Sequence, residues 1–313
     1  MNLWVARDMG YHDMTCITFS QTESTDEKVA QQIGKDLDVD NIFWPLDSAR
    51  HLLHIDEYVS MNYGSAIYSG VGGMKEILDR IDISKFGVIH TGQLGDVIIG
   101  SYLRAEEELS DFSPGGTYSQ LLTVKNDKYT EYRDREEYLM TVRGLFGILS
   151  SHFYLRNYAE IASPFLDVDF FDFCMSIPVR LRVNHHIYKK WILTKYPKAA
   201  EFIWEKTGAK IDESNLHRQF RRYIGVLMNP KRILRKLGFK VNMRSLTGMN
   251  PVDLWWDENE KLRNIYDEYY EKSINNDALS SEIKKDIEFV YTKGATIEKM
   301  LAITALAVIN NFF

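Results

Sequence analysis

Hydrophobic and polar positions follow two rhythms along this chain, and the change between them divides it. In the N-terminal part, short apolar runs rich in β-branched and aromatic residues alternate with amphipathic stretches. We predict strands at three such runs: Met14–Phe19, Asn41–Leu46 and Phe86–Ile89. Strands that alternate with helices are typical of βαβ units and a parallel sheet. The near-continuous apolar character of Met14–Phe19 also predicts a strand buried on both faces.

Helix boundaries in this part carry local signals. Leu3–Met9 has helical spacing and meets Gly10, which suits the C′ position that ends many helices. Ser24 or Thr25 is expected to cap the next helix, because a side-chain oxygen can accept from an unpaired N–H of the first turn. Acidic residues follow at once, where the helix dipole favours them. Two more helices are expected to begin near Asp47 and Gly73.

Helical spacing prevails from about Arg133 onward. The predicted helices are Tyr138–Tyr158, Val168–Ile177, Ile187–Lys195 and Ile297–Asn310. The last of these is strongly apolar, so we expect it to be buried. We therefore divide the chain into an α/β part, residues 1–130, and a mostly helical part, residues 131–313.

Composition narrows the class of protein. The chain has 313 residues, 45% of them apolar and 26% charged, which is ordinary for a globular protein. Its formal net charge of −6 argues against general nucleic-acid binding. Cys16 and Cys174 are too few for a disulfide framework and are expected to be reduced core thiols of a cytoplasmic protein. No signal peptide opens the chain, and its longest apolar run, Met300–Ile309, is too short to span a bilayer.

One segment has an unusual charge pattern. Residues 214–252 contain several Lys and Arg residues but neither Asp nor Glu. A solvated face with acidic neighbours in three dimensions would explain it. The alternative is a surface that docks an anionic partner.

The chemistry concentrates in one turn. Thr91–Tyr102 follows the predicted strand Phe86–Ile89 and contains three glycines and one carboxylate, Asp96. Glycines at the end of a strand let backbone N–H groups approach phosphates, because no Cβ intervenes. A carboxylate beside such a turn can hold a hard cation that screens the phosphates.

This turn is the first of three motifs that occur in a characteristic order. Thr91–Tyr102 resembles S-G-E-G-S-D-E-L-F-G-G-Y of the synthetase domain in asparagine synthetases and β-lactam synthetases. Glu160–Asp167, followed by Ser176–Pro178, resembles that family's E-x-R-x-P-F-L-D and S-[IL]-P elements. Lys190–Thr194 resembles K-[YH]-I-L-R. Asp26–Ala30 is a weaker match to a D-E-x-x-x-A helix, and beyond about Gly208 the resemblance thins out.

The resemblance implies a fold and a reaction. The fold would be a parallel-sheet core similar to the adenine nucleotide alpha-hydrolases (the HUP or PP-loop type), incomplete at its N-terminus and followed by a mostly helical region. The reaction would use ATP and Mg²⁺ to convert a small-molecule carboxylate into an acyl-adenylate, which ammonia or an amine then attacks. Charge moves onto the leaving pyrophosphate, so a cation and basic groups would stabilise the transition state.

The resemblance also implies which residues face the nucleotide. Asp96 would be a magnesium ligand, although an Asp in this position can simply cap a turn or helix. Thr91 and Gly92 would line the ribose and adenine side, with Gly95 as a further cofactor-binding residue. Phe19, at the end of a predicted strand, would lie against the nucleotide.

Three residues would serve the reaction itself. Lys190 would contact the reacting phosphates or the tetrahedral intermediate, although a Lys pair on a helix is commonly solvated. Glu160 would orient the catalytic loop, unless it is a solvated residue at a helix end. Gln93 stands where asparagine synthetases have Glu and β-lactam synthetases have Tyr. It does not titrate, so it can hydrogen-bond a substrate but cannot act as a base.

The chain also departs from the family pattern. The sequence contains no S-G-G-x-D-S pyrophosphate loop and no glutaminase half, and Val97, Ala162 and Thr194 replace charged family residues. Three interpretations follow. The chain is a ligase domain that works with an upstream glutaminase segment or a partner chain carrying the loop, it is a non-catalytic binding or scaffold module, or it is a fragment of a complete synthetase with Met1 as an internal start.

Overall fold

A computed structural model describes residues 1–47, 49–103, 119, 121–122, 131–204, 209–213 and 248–313. They form a mixed α/β protein with short, two-stranded parallel sheets and a helical C-terminal region. The chain divides into two compact units, and each unit is built from two stretches. The first unit is Met1–Asp47 with Ile187–Leu254, and the second is Ser48–His186 with Trp255–Phe313.

The four strands in the described residues are short and lie in the two sheets in pairs. They are β1 (Thr15–Ser20), β2 (Asp40–Pro45), β3 (Val88–His90) and β4 (Glu160–Ala162). The α-helices are α1 (Asn2–Asp8), α2 (Thr25–Leu37), α3 (Ile55–Asn62), α4 (Ser69–Leu78), α5 (Arg135–Leu139), α6 (Ser151–Leu155), α7 (Val168–Ser176), α8 (Val179–Arg182), α9 (His186–Lys195), α10 (Val252–Glu258), α11 (Glu260–Ser273), α12 (Ser281–Lys293) and α13 (Thr296–Phe312).

In the first unit, β1, α2 and β2 form the predicted βαβ unit. The strands pair in parallel with Thr15 opposite Asp40 at one end and Ser20 opposite Pro45 at the other. Ser24 provides the cap of α2, since its side chain accepts a hydrogen bond of 3.0 Å from the N–H of Glu27. The predicted second strand and its preceding helix are therefore confirmed.

Burial of β1 differs from the prediction. Its first five residues are half-buried and only Ser20 is fully buried, so the strand is not covered on both faces. Helix α2 packs on this sheet, but β1 has only one strand neighbour within the described residues. Apolar, β-branched composition therefore identified the strand correctly and its burial incorrectly.

The end of α1 follows its sequence signal. Gly10 has a left-handed φ of 89°, and its N–H donates to the carbonyl of Arg7 at 3.0 Å. The N–H of Tyr11 donates to the carbonyl of Ala6, also at 3.0 Å. This pair of bonds satisfies carbonyls that the helix end would otherwise leave unpaired, so the predicted glycine stop is confirmed.

In the second unit, β3 pairs in parallel with β4, with Val88 opposite Glu160 and His90 opposite Ala162. Glu160 begins the strand β4, so the alternative that placed it at a helix end is wrong. The predicted strand Phe86–Ile89 is present but lies slightly further along, as β3. The core of this unit includes the C-terminal helix α13, whose Met300, Ile303 and Leu306 are completely buried, which confirms the predicted burial.

The predicted helix Tyr138–Tyr158 is interrupted. After α5, the chain forms a π-helical turn over Met140–Leu145 and a 3₁₀ turn over Ile148–Ser150 before α6 begins. Glycine lowers helix propensity, and a Cβ at Gly144 would lie 3.3 Å from the side chain of Leu94. Packing against Leu94 therefore explains a small residue at a position where helical spacing is apparent.

Two of the other predicted helices agree with the structure to within one residue at each end. α7 matches Val168–Ile177 and α9 matches Ile187–Lys195. The helix expected near Asp47 differs, because a 3₁₀ turn over Arg50–Leu53 and then α3 occupy that region. Both cysteines are free, Cys174 buried and Cys16 half-buried. In the described part of the chain, no helix has the length and apolar character needed to cross a bilayer.

Two predictions concern residues outside the described ranges. All the Lys and Arg residues of the basic segment 214–252 lie among residues 214–247, which are not described. The predicted division at residue 130 adjoins residues 123–130, which are not described either. Both stay predictions.

Candidate functional site

The glycine turn and the second motif are neighbours in the second unit. The parallel pairing of β3 with β4 brings their ends together, and the N–H of Thr91 donates to the carbonyl of Ala162 at 2.9 Å. The hydroxyl of Ser163 donates to the main-chain carbonyl of Gln93 at 3.1 Å. Two segments that are far apart in sequence therefore form one site, at the edge where both strands end.

The three glycines of the turn have different surroundings. A Cβ at Gly95 would lie 2.6 Å from the ring of Phe165, and a Cβ at Gly100 would lie 2.4 Å from the carbonyl oxygen of Arg182. Gly100 also has a φ of 112°, which L side chains rarely adopt. Gly92 is exposed, with no atom within 4 Å of an added Cβ. Gly92 is thus the glycine of this turn that leaves room for a ligand.

The turn is anchored on an apolar cluster. Leu94 adopts a left-handed φ of 65° and is nevertheless buried, together with Val97, Ile98, Met140 and Cys174. Phe165 of the second motif packs on the same cluster. The turn therefore holds a conformation that an isolated peptide would avoid, because the buried Leu94 side chain compensates for the backbone strain.

Gln93 has its amide group fixed by a neighbouring serine. Its Nε2 donates to Ser151 Oγ at 2.7 Å, and Ser151 in turn donates to the carbonyl of Ile148 at 3.2 Å. This leaves Gln93 Oε1 buried, with no hydrogen-bond partner in the described structure. The site therefore contains a fixed, unused hydrogen-bond acceptor on the predicted substrate-binding residue.

Thr91 contacts a histidine that the sequence analysis did not select. Its hydroxyl lies 2.9 Å from His152 Nε2, at the start of α6. Burial lowers the pKa of His152 below its ordinary value, and the nearby Arg156 charge lowers the pKa further. The ring is thus favoured in its neutral form beside Thr91. No sequence motif covers Ser151 or His152, and only the packing of α6 beside the turn identifies them.

Asp96 is exposed to solvent at the start of the helical turn Val97–Ser101. It occupies the N-cap position of this turn, but its side chain makes no capping hydrogen bond there. Among the described residues, no group of three or more His, Cys, Asp and Glu side chains is placed to hold a metal. Asp96 is thus a solvated carboxylate, able to supply one ligand to a cation.

A buried ion pair lies behind the turn. Arg182 and Glu136 are both almost fully buried and pair through both guanidinium Nη atoms, with Nη2 at 2.9 Å from Oε2. Arg182 Nε also donates to the carbonyl of Ile177 at 2.9 Å. Because the main chain of Arg182 touches Gly100, this pair supports the turn from outside every motif.

The other predicted residues are less constrained. Glu160 is exposed at the start of β4. In the first unit, Phe19 is half-buried on β1 beside Trp44, and Lys190 is exposed on α9. Thr194 donates to the carbonyl of Lys190 at 2.8 Å, so it acts on the helix backbone there. The second unit contains Gln93, Thr91, Gly92, Gly95, Asp96 and Glu160.

The fold and site together define a mixed α/β protein in which a glycine-rich turn, held by a parallel strand pair, carries a solvated carboxylate. No protein-family model matches the chain, and no curated protein matches it. The resemblance to the synthetases therefore rests on the sequence motifs alone.

Proposed function

We propose that this chain is the synthetase part of an ATP-dependent, amide-forming carbon–nitrogen ligase. A small carboxylate attacks the α-phosphate of ATP, the bond between the α- and β-phosphates breaks, and pyrophosphate leaves. Ammonia or an amine then attacks the acyl-adenylate, the bond to AMP breaks, and the nitrogen loses a proton. The free cysteines suit a reducing compartment, so we assign the protein to the cytoplasm.

One observation carries this proposal: the turn Thr91–Tyr102 and the segment Glu160–Asp167 meet in space. Residue resemblance alone does not require the two to touch. They are joined by a backbone hydrogen bond, by Ser163 and by the packing of Phe165 on Gly95. A ligand at the end of β3 would therefore contact both motifs, as a shared site requires.

The residues fit part of a magnesium nucleotide site. Mg²⁺ is usually held by one or two carboxylates together with substrate phosphates and water, and Asp96 can supply one such carboxylate. Gly92 leaves its backbone open to a phosphate, whereas protein atoms occupy the corresponding space at Gly95 and Gly100. When bound, the cation would screen the charge of the phosphates.

The chain's own groups then have distinct roles. Thr91, held by His152, would orient the ribose side, and Asp96 would position the cation. Gln93 would accept a hydrogen bond from the incoming nitrogen through Oε1, because one N–H of its Nε2 donates to Ser151 and fixes the orientation of the amide. Lys190, an exposed cation on α9, would neutralise the leaving pyrophosphate, and Glu160 would orient the loop.

The proposal requires a second component. The pyrophosphate loop S-G-G-x-D-S is not in this sequence, so an additional segment or a partner chain must provide the main phosphate-binding turn. β1 and β3 each have one strand neighbour in the described structure.

Pyrophosphate exchange tests the reaction. We expect the full reading frame that contains this chain to exchange labelled pyrophosphate into ATP when supplied with the right carboxylate, and a panel of amino and dicarboxylic acids would find it. Asp96→Asn and Lys190→Ala should each lower exchange about a hundredfold. Asp172→Asn and Lys198→Ala, exposed residues of the same types, are the matched controls. Absence of exchange with every acid would refute the proposal.

A non-catalytic binding module is the second candidate. Its supporting observation is that two of the three glycines serve internal packing and that Asp96 belongs to no group of three or more metal-ligating side chains in the described structure. Calorimetry with Mg-ATP separates the candidates. Metal-dependent binding that Asp96→Asn abolishes supports the ligase, and no nucleotide binding at all supports the module.

A further inference from the structure

A pocket lies in the second unit, and none of its lining residues belongs to the glycine turn. It has a volume of about 470 Å³ and lies between the segment Arg50–His54 and the start of α11. Six residues line it: Arg50, Leu53, His54, Asn259, Lys261 and Ile265. This volume is in the range of small-molecule sites, which span roughly 300–1,000 Å³.

The charges at this pocket have one sign. Arg50 and Lys261 stand on opposite walls, and none of the described residues that line the pocket is acidic. Neither cation makes an ion pair within the described residues. Glu57, in the first turn of α3 next to the lining residue His54, is contacted by His54 at 3.3 Å and by Lys75 at 3.0 Å. Glu57 is thus engaged by Lys75, which Asp79 shares at 2.6 Å, and the pocket keeps two cations without an ion pair in the described structure.

Two helix N-termini add to the positive charge at the pocket. Asn259 caps α11 by accepting a hydrogen bond of 3.0 Å from the N–H of Leu262, and Lys261 lies in the first turn of the same helix. His54 occupies the N-cap position of α3 without a capping side-chain bond. The positive ends of two helix dipoles therefore lie at the pocket wall, where they favour an anion.

The remaining lining residues are apolar. Leu53 and Ile265 lie on the two opposite walls, and both are half-buried. A free inorganic anion would leave this surface without a partner, whereas an organic anion would cover it. The combination of two cations with apolar residues on both walls thus selects a ligand with a charged head and a hydrophobic body.

We propose that this pocket binds a small organic anion, with a phosphate or carboxylate head between Arg50 and Lys261 and an apolar body on Leu53 and Ile265. Arginine suits this role because its guanidinium can donate two parallel hydrogen bonds to such a head group. Neither Arg50 nor Lys261 belongs to the proposed ligase site. The binding is therefore independent of the proposed reaction.

Phenyl phosphate is the probe, followed by phosphorus NMR and calorimetry on the whole chain. We expect it to bind with a dissociation constant in the millimolar range or below. Inorganic phosphate should bind more weakly, and phenol should not bind. Arg50→Gln and Lys261→Gln should each weaken binding about tenfold, which corresponds to roughly 1.4 kcal/mol. Lys272→Gln, in the last turn of the same helix, is the matched control.

The comparison with benzoate distinguishes head groups. Equal binding of benzoate and phenyl phosphate assigns a carboxylate or phosphate ligand, and tighter phenyl phosphate binding assigns a phosphate. Binding that is unchanged in the Arg50→Gln/Lys261→Gln double variant would overturn the proposal, as would no binding of either probe. Both substituted side chains are exposed, so circular dichroism should show that these variants fold normally.

Discussion

The two units hold their candidate residues in different ways. In the first unit, which contains Phe19 and Lys190, the described buried hydrophobic residues are Val39, Leu46, Ile192, Ala200, Ala209 and Leu254. The second unit, which contains the glycine turn, buries many more, together with the charged pair Glu136 and Arg182. In the second unit, residues that resemble a catalytic motif are also needed for packing. In the first unit, the Lys190 side chain is exposed and makes no hydrogen bond or ion pair among the described residues.

The buried ion pair is the sharpest test of this difference. Glu136→Ala leaves Arg182 buried without its counter-charge, and we expect a loss of about 3–5 kcal/mol in the free energy of unfolding. Urea denaturation measures it. Lys85→Ala, which breaks an exposed pair with Asp82 at 3.7 Å, is the control and should cost less than about 1 kcal/mol. Equal effects of the two variants would remove the distinction between buried and exposed contacts.

The pH dependence of stability tests another buried group of the second unit. Burial, with a smaller contribution from the neighbouring His54, lowers the pKa of His51 from 6.5 to about 4. The unfolded chain therefore binds a proton as pH falls below 6.5, while the folded chain stays neutral until about pH 4. Stability contributed by His51 is thus complete above pH 6.5 and falls by about 3 kcal/mol towards pH 4.

Urea titrations across this pH window check the sign. The difference in stability between the native chain and His51→Gln should fall steadily from pH 7 to pH 4. His186→Gln, which replaces an exposed histidine that does not act on His51, should follow the native chain. A His51→Gln difference that does not vary with pH would contradict the inferred burial of a neutral ring.

The glycines of the turn allow a packed position and an open position to be compared within one loop. Gly95→Ala places a methyl group against the Phe165 ring, and we expect a loss of about 1–3 kcal/mol. Gly92→Ala meets no atom and should stay within about 0.5 kcal/mol. Adding Phe165→Leu to Gly95→Ala should restore part of the loss, since a smaller side chain makes room. If the two alanine variants are equally stable, Gly95 is not there for packing.

Lys190 should show the smallest effect on stability. Its side chain is exposed, so Lys190→Ala should change the free energy of unfolding by less than about 0.5 kcal/mol. Lys189 lies 5.4 Å from the centre of the Trp204 ring, and Lys189→Ala should cost slightly more through this cation–π contact. A strongly destabilised Lys190→Ala variant would mean that the helix needs this residue structurally, which would weaken its assignment to chemistry.

Sequence signals predicted the helix ends well where the hydrogen bonds that set them join residues close in sequence. Ser24 caps α2 and Gly10 ends α1, because these depend on hydrogen bonds within a few residues. Local signals did not predict β4, which begins at Glu160, because this strand exists only by pairing with β3. The interruption after α5 was missed for the same reason, since Gly144 packs on Leu94 from a distant part of the chain.

By itself, the sequence determined the helix ends, the βαβ unit, the three motifs and the residue types that could bind a nucleotide. Only the tertiary structure decided that two motifs touch, that protein atoms fill the space beside Gly95 and Gly100, and that the space beside Gly92 is open. It also added Ser151, His152 and the Glu136–Arg182 pair, which no motif contains. The reason is that hydrogen bonds within a turn depend on residues close together in sequence, whereas burial and strand pairing depend on segments far apart in the chain.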